Sequence, residues 1–135
     1  DYAVEIYHKA ITDGHYESFL SQDTKLPMMF MDDAIDATIQ LMDAPANKLT
    51  IRSSYNLAGM SFTPKDIADD IQKHVKDFLI TYKPDFRQQI ADSWPRSIDD
   101  SFARRDWNWK HHFDLEKMTN EMMLQLEKKY AALEK

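Results

Sequence analysis

Strand-like segments alternate with helical segments along this chain, and this alternation limits the folds that it can adopt. Runs with strand character lie at 15–20, 26–31, 53–59 and 78–83, separated by helical patterns. Strands that alternate with helices build partly parallel sheets covered by helices, so the order predicts an α/β fold. A complete doubly wound sheet opens with a strand and a glycine-rich turn, whereas this chain opens in a helical pattern at 2–13. We therefore expect part of such a fold.

The helix that follows Phe62 has the clearest boundary signals in the sequence. Thr63 is the predicted N-cap, Pro64 occupies the first helical position and Asp66 the third, where a carboxylate can complete a capping box. The apolar stripe of this helix is predicted to be Ile67, Ile71 and Val75. At the end of the first helix, Gly14 stands where a left-handed residue commonly ends a helix.

Two neighbouring aspartates follow the second strand. Asp32 and Asp33 could indicate a metal site or an acid–base pair. The better interpretation is that one of them is the helix N-cap and that the other interacts favourably with the helix dipole. The helix that they open is predicted to end near Pro45. Its predicted buried stripe consists of three apolar residues at helical spacing: Ile35, Ile39 and Met42.

The segment 84–113 contains all three tryptophans and an adjacent pair of histidines. Residues 84–95 are predicted to form a loop, followed by a short helix capped by Ser97 or Asp99 with Ile98 and Phe102 facing inward. Neighbouring residues point in different directions on a helix or a strand, so His111 and His112 are predicted to be structural or solvent-facing rather than metal ligands. The predicted core residues here are Trp107 and Trp109. The last helix is predicted to open at Asp114.

The composition excludes several classes of function. The chain has 17 basic and 23 acidic residues and a formal net charge of −6, which disfavours nucleic acid binding. It has no cysteine for disulfides, thiol catalysis or thiolate metal sites. No apolar run approaches the ~20 residues of a membrane-spanning helix. The two glycines, Gly14 and Gly59, are too few and too far apart for a phosphate-binding loop.

Several blocks of the sequence resemble the C-terminal part of extended short-chain dehydrogenases/reductases, and specifically the short-chain L-threonine 3-dehydrogenase family. The blocks are DYAVEIYHKAI, KLPMMFMDDAIDATI, SSYNLAGMSFTP and YKPDFRQQIADSWPRSIDDSFARRDWNWKH. The resemblance covers nearly the whole chain up to the charged tail LEKKYAALEK. Asn108 stands where the family usually has glycine, and asparagine is the next best residue at a left-handed helix end.

This resemblance implies a function for the protein to which the sequence belongs. It implies oxidation of L-threonine by NAD⁺ to 2-amino-3-oxobutanoate, with residues 1–135 as the C-terminal substrate-binding portion. In the family, the base is the tyrosine of a Tyr-x-x-x-Lys motif, and the NAD-binding Rossmann half carries a glycine-rich turn. Neither motif occurs here, so we expect no catalytic and no cofactor-binding residue in this chain, and no activity from it alone.

The resemblance also implies site residues and partners. The family's loop corresponding to ADSWP closes over the substrate, which makes Trp94 the first candidate for a substrate contact and Ser93 a weaker second. The expected partners are L-threonine, the N-terminal Rossmann portion of the same protein and a second subunit, without nucleic acid or membrane. The expected compartment is the mitochondrial matrix, or the cytoplasm for a bacterial protein. Two alternatives stay open: a truncated, non-catalytic interaction module, and a relative such as a nucleotide-sugar epimerase.

Overall fold

The computed structural model describes residues 1–133, which form six α-helices, four short strands and a 3-10 turn at Ala46–Lys48. The helices are α1 (Tyr2–Thr12), α2 (Met31–Asp43), α3 (Pro64–Ile71), α4 (Arg87–Asp92), α5 (Ser101–Trp107) and α6 (Leu115–Leu133). The strands are β1 (His15–Ser18), β2 (Leu26–Met28), β3 (Met60–Phe62) and β4 (Leu79–Tyr82). Of the charged tail, 126–133 continue α6, and the last two residues lie outside the described part.

The strands form two separate pairs. β1 and β4 run parallel, with His15 opposite Leu79, and β2 and β3 run antiparallel, with Leu26 opposite Phe62. The predicted α/β class is confirmed, although the strands of the described residues make only these two-stranded pairs. The polypeptide between β1 and β4 contains β2, α2, β3 and α3, which is the long crossover that a parallel pair requires.

The main core lies where α1, α3 and α6 pack together beside the strands. Apolar residues at helical spacing place one face of each helix in it. Its largest fully buried side chains are Ile6, Tyr7, Phe62, Ile67, Ile71, Phe78 and Met123. At its centre the hydroxyl of Tyr7 hydrogen-bonds to that of Thr119 at 2.9 Å, which pairs two buried polar groups.

Several boundary signals are confirmed. Thr63 caps α3: its hydroxyl accepts a hydrogen bond from the amide of Asp66 at 3.1 Å, and the Asp66 carboxylate accepts one from the Thr63 amide at 2.9 Å. Gly14 adopts a left-handed φ of 65° after α1, and Asn108 adopts a φ of 61° after α5. Asp114 accepts a hydrogen bond from the Lys117 amide in the first turn of α6.

Other predictions about the elements were wrong. The predicted strand at 53–59 has no ladder partner, and the third strand is Met60–Phe62. The predicted loop 84–95 contains α4, whose six residues are too few to show a clear helical period. α5 begins after Asp100, so neither Ser97 nor Asp99 is its N-cap. A strand requires a neighbouring strand, and a short helix requires packing, so neither is encoded by local pattern alone.

The interpretation of α2 also needs correction. Its N-cap is Phe30, and neither Asp32 nor Asp33 caps it. The predicted buried stripe of Ile35, Ile39 and Met42 is exposed, because α2 packs through the opposite face that contains Asp33 and Ala37. Ile98 and Phe102, predicted to face inward, are likewise exposed.

Candidate substrate-pocket wall

A mostly apolar cleft of about 380 Å³ opens between the start of α1, the β1–β2 segment and α4. Trp94 lies at this cleft, together with three residues of α4: Arg87, Ile90 and Ala91. The opposite side is formed by residues from the start of the chain and from the β1–β2 segment: Asp1, Tyr2, Phe19, Leu20, Leu26, Pro27 and Met28. A concave apolar surface with a few polar groups is the usual form of a small-molecule site.

Trp94 reaches the cleft because α4 ends one residue before Ser93. The amide of Trp94 donates to the Ala91 carbonyl at 3.1 Å, which continues the helical turn past the last residue of α4. Pro95 follows and prevents the helix from continuing. The side chain of Trp94 is 58% exposed, which is high for so large an apolar group, so much of its ring faces solvent at the edge of the cleft.

A network of hydrogen bonds fixes α4 against the segment after β1. The Gln88 side-chain oxygen accepts from the Ser21 amide at 2.8 Å, and the Gln88 amide nitrogen donates to the Thr24 hydroxyl at 2.9 Å. The Arg87 guanidinium lies 3.4 Å from the centre of the Phe19 ring and pairs with Asp85 at 2.6 Å. These contacts hold α4, and with it the following residue Trp94, in a fixed position although the helix is short.

Ser93 does not line this cleft. Its hydroxyl donates to the Ile90 carbonyl at 2.7 Å, so it is occupied by the end of its own helix. Tyr2, which sequence reasoning did not single out, lines the cleft and is 2% exposed. Its hydroxyl has no hydrogen-bond partner among the described residues, and burial raises the pKa of its phenol.

The cleft-lining residues of α4 and Trp94 have helical spacing, although α4 itself is too short for that spacing to predict a helix. Arg87, Ile90, Ala91 and Trp94 stand at positions i, i+3, i+4 and i+7, which lie on one face once the segment is helical. The residues from α1 and β2 had no such signal, because only the tertiary fold brings them opposite α4.

The other two tryptophans and the histidine pair lie away from the cleft. Trp109 is fully buried in a second, smaller core cluster with Ala37 and Ala103, and Trp107 packs beside it. The amide and the ring nitrogen Nδ1 of His112 lie 2.9 Å and 3.2 Å from an oxygen of Asp33. These residues hold α2, α5 and the start of α6 together.

Asp106 organises a polar network next to that cluster. Its carboxylate accepts hydrogen bonds from the Tyr55 hydroxyl at 2.6 Å and from the Thr50 amide at 2.9 Å. Arg105 pairs with the same carboxylate at 2.8 Å. The Arg105 guanidinium and the Tyr55 hydroxyl hold the pKa of Asp106 well below its usual range. This network fixes the chain before β3 to the end of α5.

Comparison with known proteins shows which proteins this chain is similar to. No family model matches the chain. It is 50% identical over 124 residues to the mitochondrial L-threonine 3-dehydrogenase of Bos taurus, covering 91% of this chain and 33% of that protein. The fold matches the apo form of a GalE-like L-threonine dehydrogenase from Cupriavidus necator, with a TM-score of 0.91 and 56% identity over 93% of this chain and 45% of that one.

The chain is homologous to the C-terminal part of short-chain L-threonine 3-dehydrogenases. An uncharacterized epimerase/dehydratase of Staphylococcus haemolyticus is also 49% identical, over 96% of this chain and 41% of that protein. The chain thus spans about a third of the length of the curated L-threonine 3-dehydrogenases that it matches. The resemblance to this dehydrogenase family is confirmed, and the block that carries Trp94 lies within the matched region.

Proposed function

We propose that residues 1–135 are the substrate-side portion of an NAD-dependent L-threonine 3-dehydrogenase. The proposed overall reaction converts L-threonine and NAD⁺ to L-2-amino-3-oxobutanoate, NADH and a proton, which would serve the breakdown of threonine to glycine. The observation that carries the proposal is the cleft beside α4, bordered by Trp94, in a chain that is 56% identical to a solved L-threonine dehydrogenase.

We expect no dinucleotide site among the described residues of this chain. Gly14 ends α1, and Gly59 lies so close to the Met28 backbone that an added Cβ would stand 2.8 Å from the carbonyl oxygen. Neither glycine belongs to a strand–turn–helix unit that cradles phosphates. No tyrosine is followed four positions later by lysine. NAD and the catalytic base would therefore be supplied by another portion of the parent protein, and this chain alone would not turn over threonine.

The contribution of this chain would be binding and exclusion of water. Apolar residues from the start of α1, the β1–β2 segment, β2 and α4 line most of the cleft, and Trp94 at its edge would cover a bound amino acid. Removing water strengthens the polar interactions that orient a substrate. Arg87 and Asp1 are the charged residues at this cleft, while Ser93 remains a weaker candidate because its hydroxyl is already bonded to its own helix.

A chimera tests the proposal directly. This chain would replace the matching C-terminal part of the Cupriavidus necator enzyme, and NADH formation from L-threonine would be measured. We expect the chimera to oxidise threonine and Trp94→Ala to lower kcat/KM by about tenfold to a hundredfold, as the loss of substrate positioning does.

Two matched variants serve as controls for that experiment. Trp94→Phe keeps an aromatic cover and should retain most of the activity, whereas Leu124→Ala, on the exposed side of α6, should leave kcat/KM unchanged. A folded chimera that oxidises no threonine, or a Trp94→Ala variant as active as its parent, would contradict the proposal.

Two observations bear on the alternatives. The exposed apolar residues of α2 suit an interaction module, and the Staphylococcus relative is named an epimerase/dehydratase. The chimera separates these functions, because an interaction module gives no turnover with any substrate and an epimerase acts on nucleotide sugars.

For the compartment, we propose the mitochondrial matrix if the parent is an animal protein, since the Bos taurus relative is named mitochondrial. A bacterial parent, like that of Cupriavidus necator, would place it in the cytoplasm. No helix of the described residues has the length and hydropathy needed to cross a membrane. The dimer expected for the parent remains a prediction for sedimentation equilibrium of the chimera.

A further inference from the structure

Gln88 joins the two walls of the apolar cleft that Trp94 borders. One wall contains Phe19 and Leu20, from the segment between β1 and β2, and the other consists of α4 and Trp94. The side-chain oxygen of Gln88 accepts hydrogen bonds from the Ser21 amide at 2.8 Å and from the Ser21 hydroxyl at 3.3 Å. Because Ser21 directly follows Leu20, these bonds hold the first wall to the second.

The side-chain nitrogen of Gln88 completes the link. It donates to the Thr24 hydroxyl at 2.9 Å and to the Asp92 carboxylate, at the end of α4, at 2.7 Å. The hydroxyls of Thr24 and Ser21 are also hydrogen-bonded to each other at 2.8 Å. Thr24 is buried and Gln88 is half-buried. A satisfied polar network away from solvent makes its members rigid, so Gln88 fixes the segment 21–24 relative to α4.

Two of these hydrogen-bond partners also border Trp94. A second, more polar cleft of about 280 Å³ is lined in part by Thr24, Asp92 and Trp94. Trp94 therefore lies between the apolar cleft and residues that Gln88 holds in place. We expect a shift of Thr24 or Asp92 to move the indole ring relative to the apolar cleft.

We propose that Gln88 is a positioning residue for substrate binding, which sets the separation of the two cleft walls and the place of Trp94 at their edge. This inference rests on the proposed function and deepens it. Among the described residues, Gln88 is not one of those that line the apolar cleft, so it acts through the walls rather than by touching the amino acid. A displacement of about 1 Å in a positioning group can cost as much as about a hundredfold in rate.

Arg87 makes another contact between the walls, but of a different kind. Its guanidinium lies 3.4 Å from the centre of the Phe19 ring. A cation is attracted to a ring face over a range of positions, whereas hydrogen bonds have narrow preferred distances and angles. Arg87 also lines the cleft, so its replacement would change the lining itself. Replacing Gln88 tests the position of the walls separately from their lining.

Hydrogen exchange in the 135-residue chain gives the first test. In Gln88→Ala the Ser21 amide loses its acceptor, while α4 keeps a strong helix former at that position. We expect the amides of Ser21 and Trp94 to exchange about tenfold faster, measured by NMR, because both belong to the part that Gln88 holds. The Asp66 amide in the capping box of α3 should keep its rate.

Steady-state kinetics of the chimera with the Cupriavidus necator enzyme give the second test. We expect Gln88→Ala to raise KM for L-threonine about tenfold and to change kcat by less than about twofold, because a displaced wall weakens binding of substrate and transition state alike. Gln125→Ala is the matched control. Gln125 also donates to a carboxylate one helical turn away, that of Glu121 at 2.8 Å, but on the exposed side of α6, so its KM should equal that of the parent.

Exchanging two polar groups separates positioning from general damage. Gln88→Glu keeps the oxygen that accepts from Ser21 but places a second carboxylate next to Asp92, and these like charges repel. We expect KM to rise about as much as in Gln88→Ala. Adding Asp92→Asn supplies an amide that donates to the new carboxylate, so the double variant should return KM to within about threefold of the parent.

The outcomes distinguish this inference from the proposed function. Unchanged exchange of the Ser21 and Trp94 amides in Gln88→Ala would overturn the inference, as would an unchanged KM or a double variant that restores nothing. If Gln88→Ala does not fold, Gln88→Glu and the double variant allow both measurements, since they keep the side-chain length. An unsubstituted chimera that oxidises no threonine contradicts the proposed function, whereas faster exchange of both amides still supports the positioning of the walls by Gln88.

Discussion

Asp33 shows how one residue determines the relative position of two distant elements. Its carboxylate is buried and accepts hydrogen bonds from the amides of His112 and Phe113, both at 2.9 Å, just before α6. Phe113 also stacks on Phe30, at the N-cap of α2. The carboxylate therefore provides hydrogen bonds between segments about eighty residues apart.

Asp33→Ala should lower the free energy of unfolding by about 2 kcal/mol, because it removes two charge-assisted hydrogen bonds and leaves two amides without their partner. Asp32→Ala is the matched control: the neighbouring carboxylate is exposed, so its loss should cost less than about 1 kcal/mol. Urea denaturation of the chimera measures both. Equal effects of the two substitutions would contradict the structural role given to Asp33.

Asp106 gives a prediction about pH. Arg105 and Tyr55 lower the pKa of its carboxyl group in the folded state, so the unfolded chain binds the proton more readily. The ionised Asp106 carboxylate therefore stabilises the folded state fully above the unfolded pKa of about 4, and this stabilisation is lost as the pH falls below that value. In thermal unfolding measured from pH 7 downward, the melting temperature of Asp106→Asn should fall less at acidic pH than that of the parent. An unchanged pH dependence would argue against the network.

At the scale of the elements, α3 is the helix whose local sequence and tertiary role agree best. Its capping box fixes where it begins, and its apolar residues Ile67 and Ile71 are fully buried against α1 and α6. α2 and α4 differ from it, since each presents apolar residues to solvent or to a cleft. Local signals therefore define the start of α3 and its buried Ile67 and Ile71, although the helix ends at Ile71 and the predicted stripe residue Val75 lies beyond it, half-buried. The positions of α2 and α4 depend on what lies beside them.

Thr63→Ala should reduce the free energy of unfolding by about 1 kcal/mol, the typical value of a helix N-cap, because the Asp66 amide loses its acceptor. Thr38→Ala provides the comparison, since Thr38 is an exposed residue inside α2 whose replacement should change stability by less than about 0.5 kcal/mol. Chemical denaturation distinguishes the two. If the Thr63→Ala variant were as stable as the Thr38→Ala variant, the capping box would contribute nothing to the free energy of unfolding.

At the scale of the whole molecule, the described residues enclose a real core and leave much apolar surface outside it. Besides the α2 stripe, Phe86 and Ile90 of the α4 region are 73% and 52% exposed, next to Trp94. Exposed apolar patches of this kind promote association, and the short strand pairs also leave unpaired edges. The net charge of −6 opposes association but does not cover these surfaces.

The 135-residue chain should therefore associate more strongly as its concentration rises. The double variant Ile35→Lys, Ile39→Lys should suppress this association. Its melting temperature should fall by no more than a few degrees, because both side chains are exposed. Sedimentation velocity and calorimetry over a concentration series measure the effect. Sharp, reversible melting of a monomer at all concentrations would contradict this prediction.

The sequence by itself determined the features that depend on neighbouring residues. The capping box at Thr63, the left-handed positions of Gly14 and Asn108, and the start of α6 follow from short-range sterics and hydrogen bonds. Apart from α4 and the position of the third strand, the order of strands and helices followed from the hydrophobic period, and the family followed from four blocks of sequence. None of these needs knowledge of distant contacts.

The tertiary structure alone decided which apolar face is buried and which residues meet. The large apolar side chains of α2 predict the wrong buried face, because the period cannot show that Ala37 and Asp33 pack inward while Ile39 stays exposed. The segment 53–58 has strand character, but a strand forms only where another strand offers its backbone. The cleft beside Trp94 joins α1, β2 and α4 from distant parts of the chain. Burial and pairing depend on contacts between distant residues, which a local pattern does not contain.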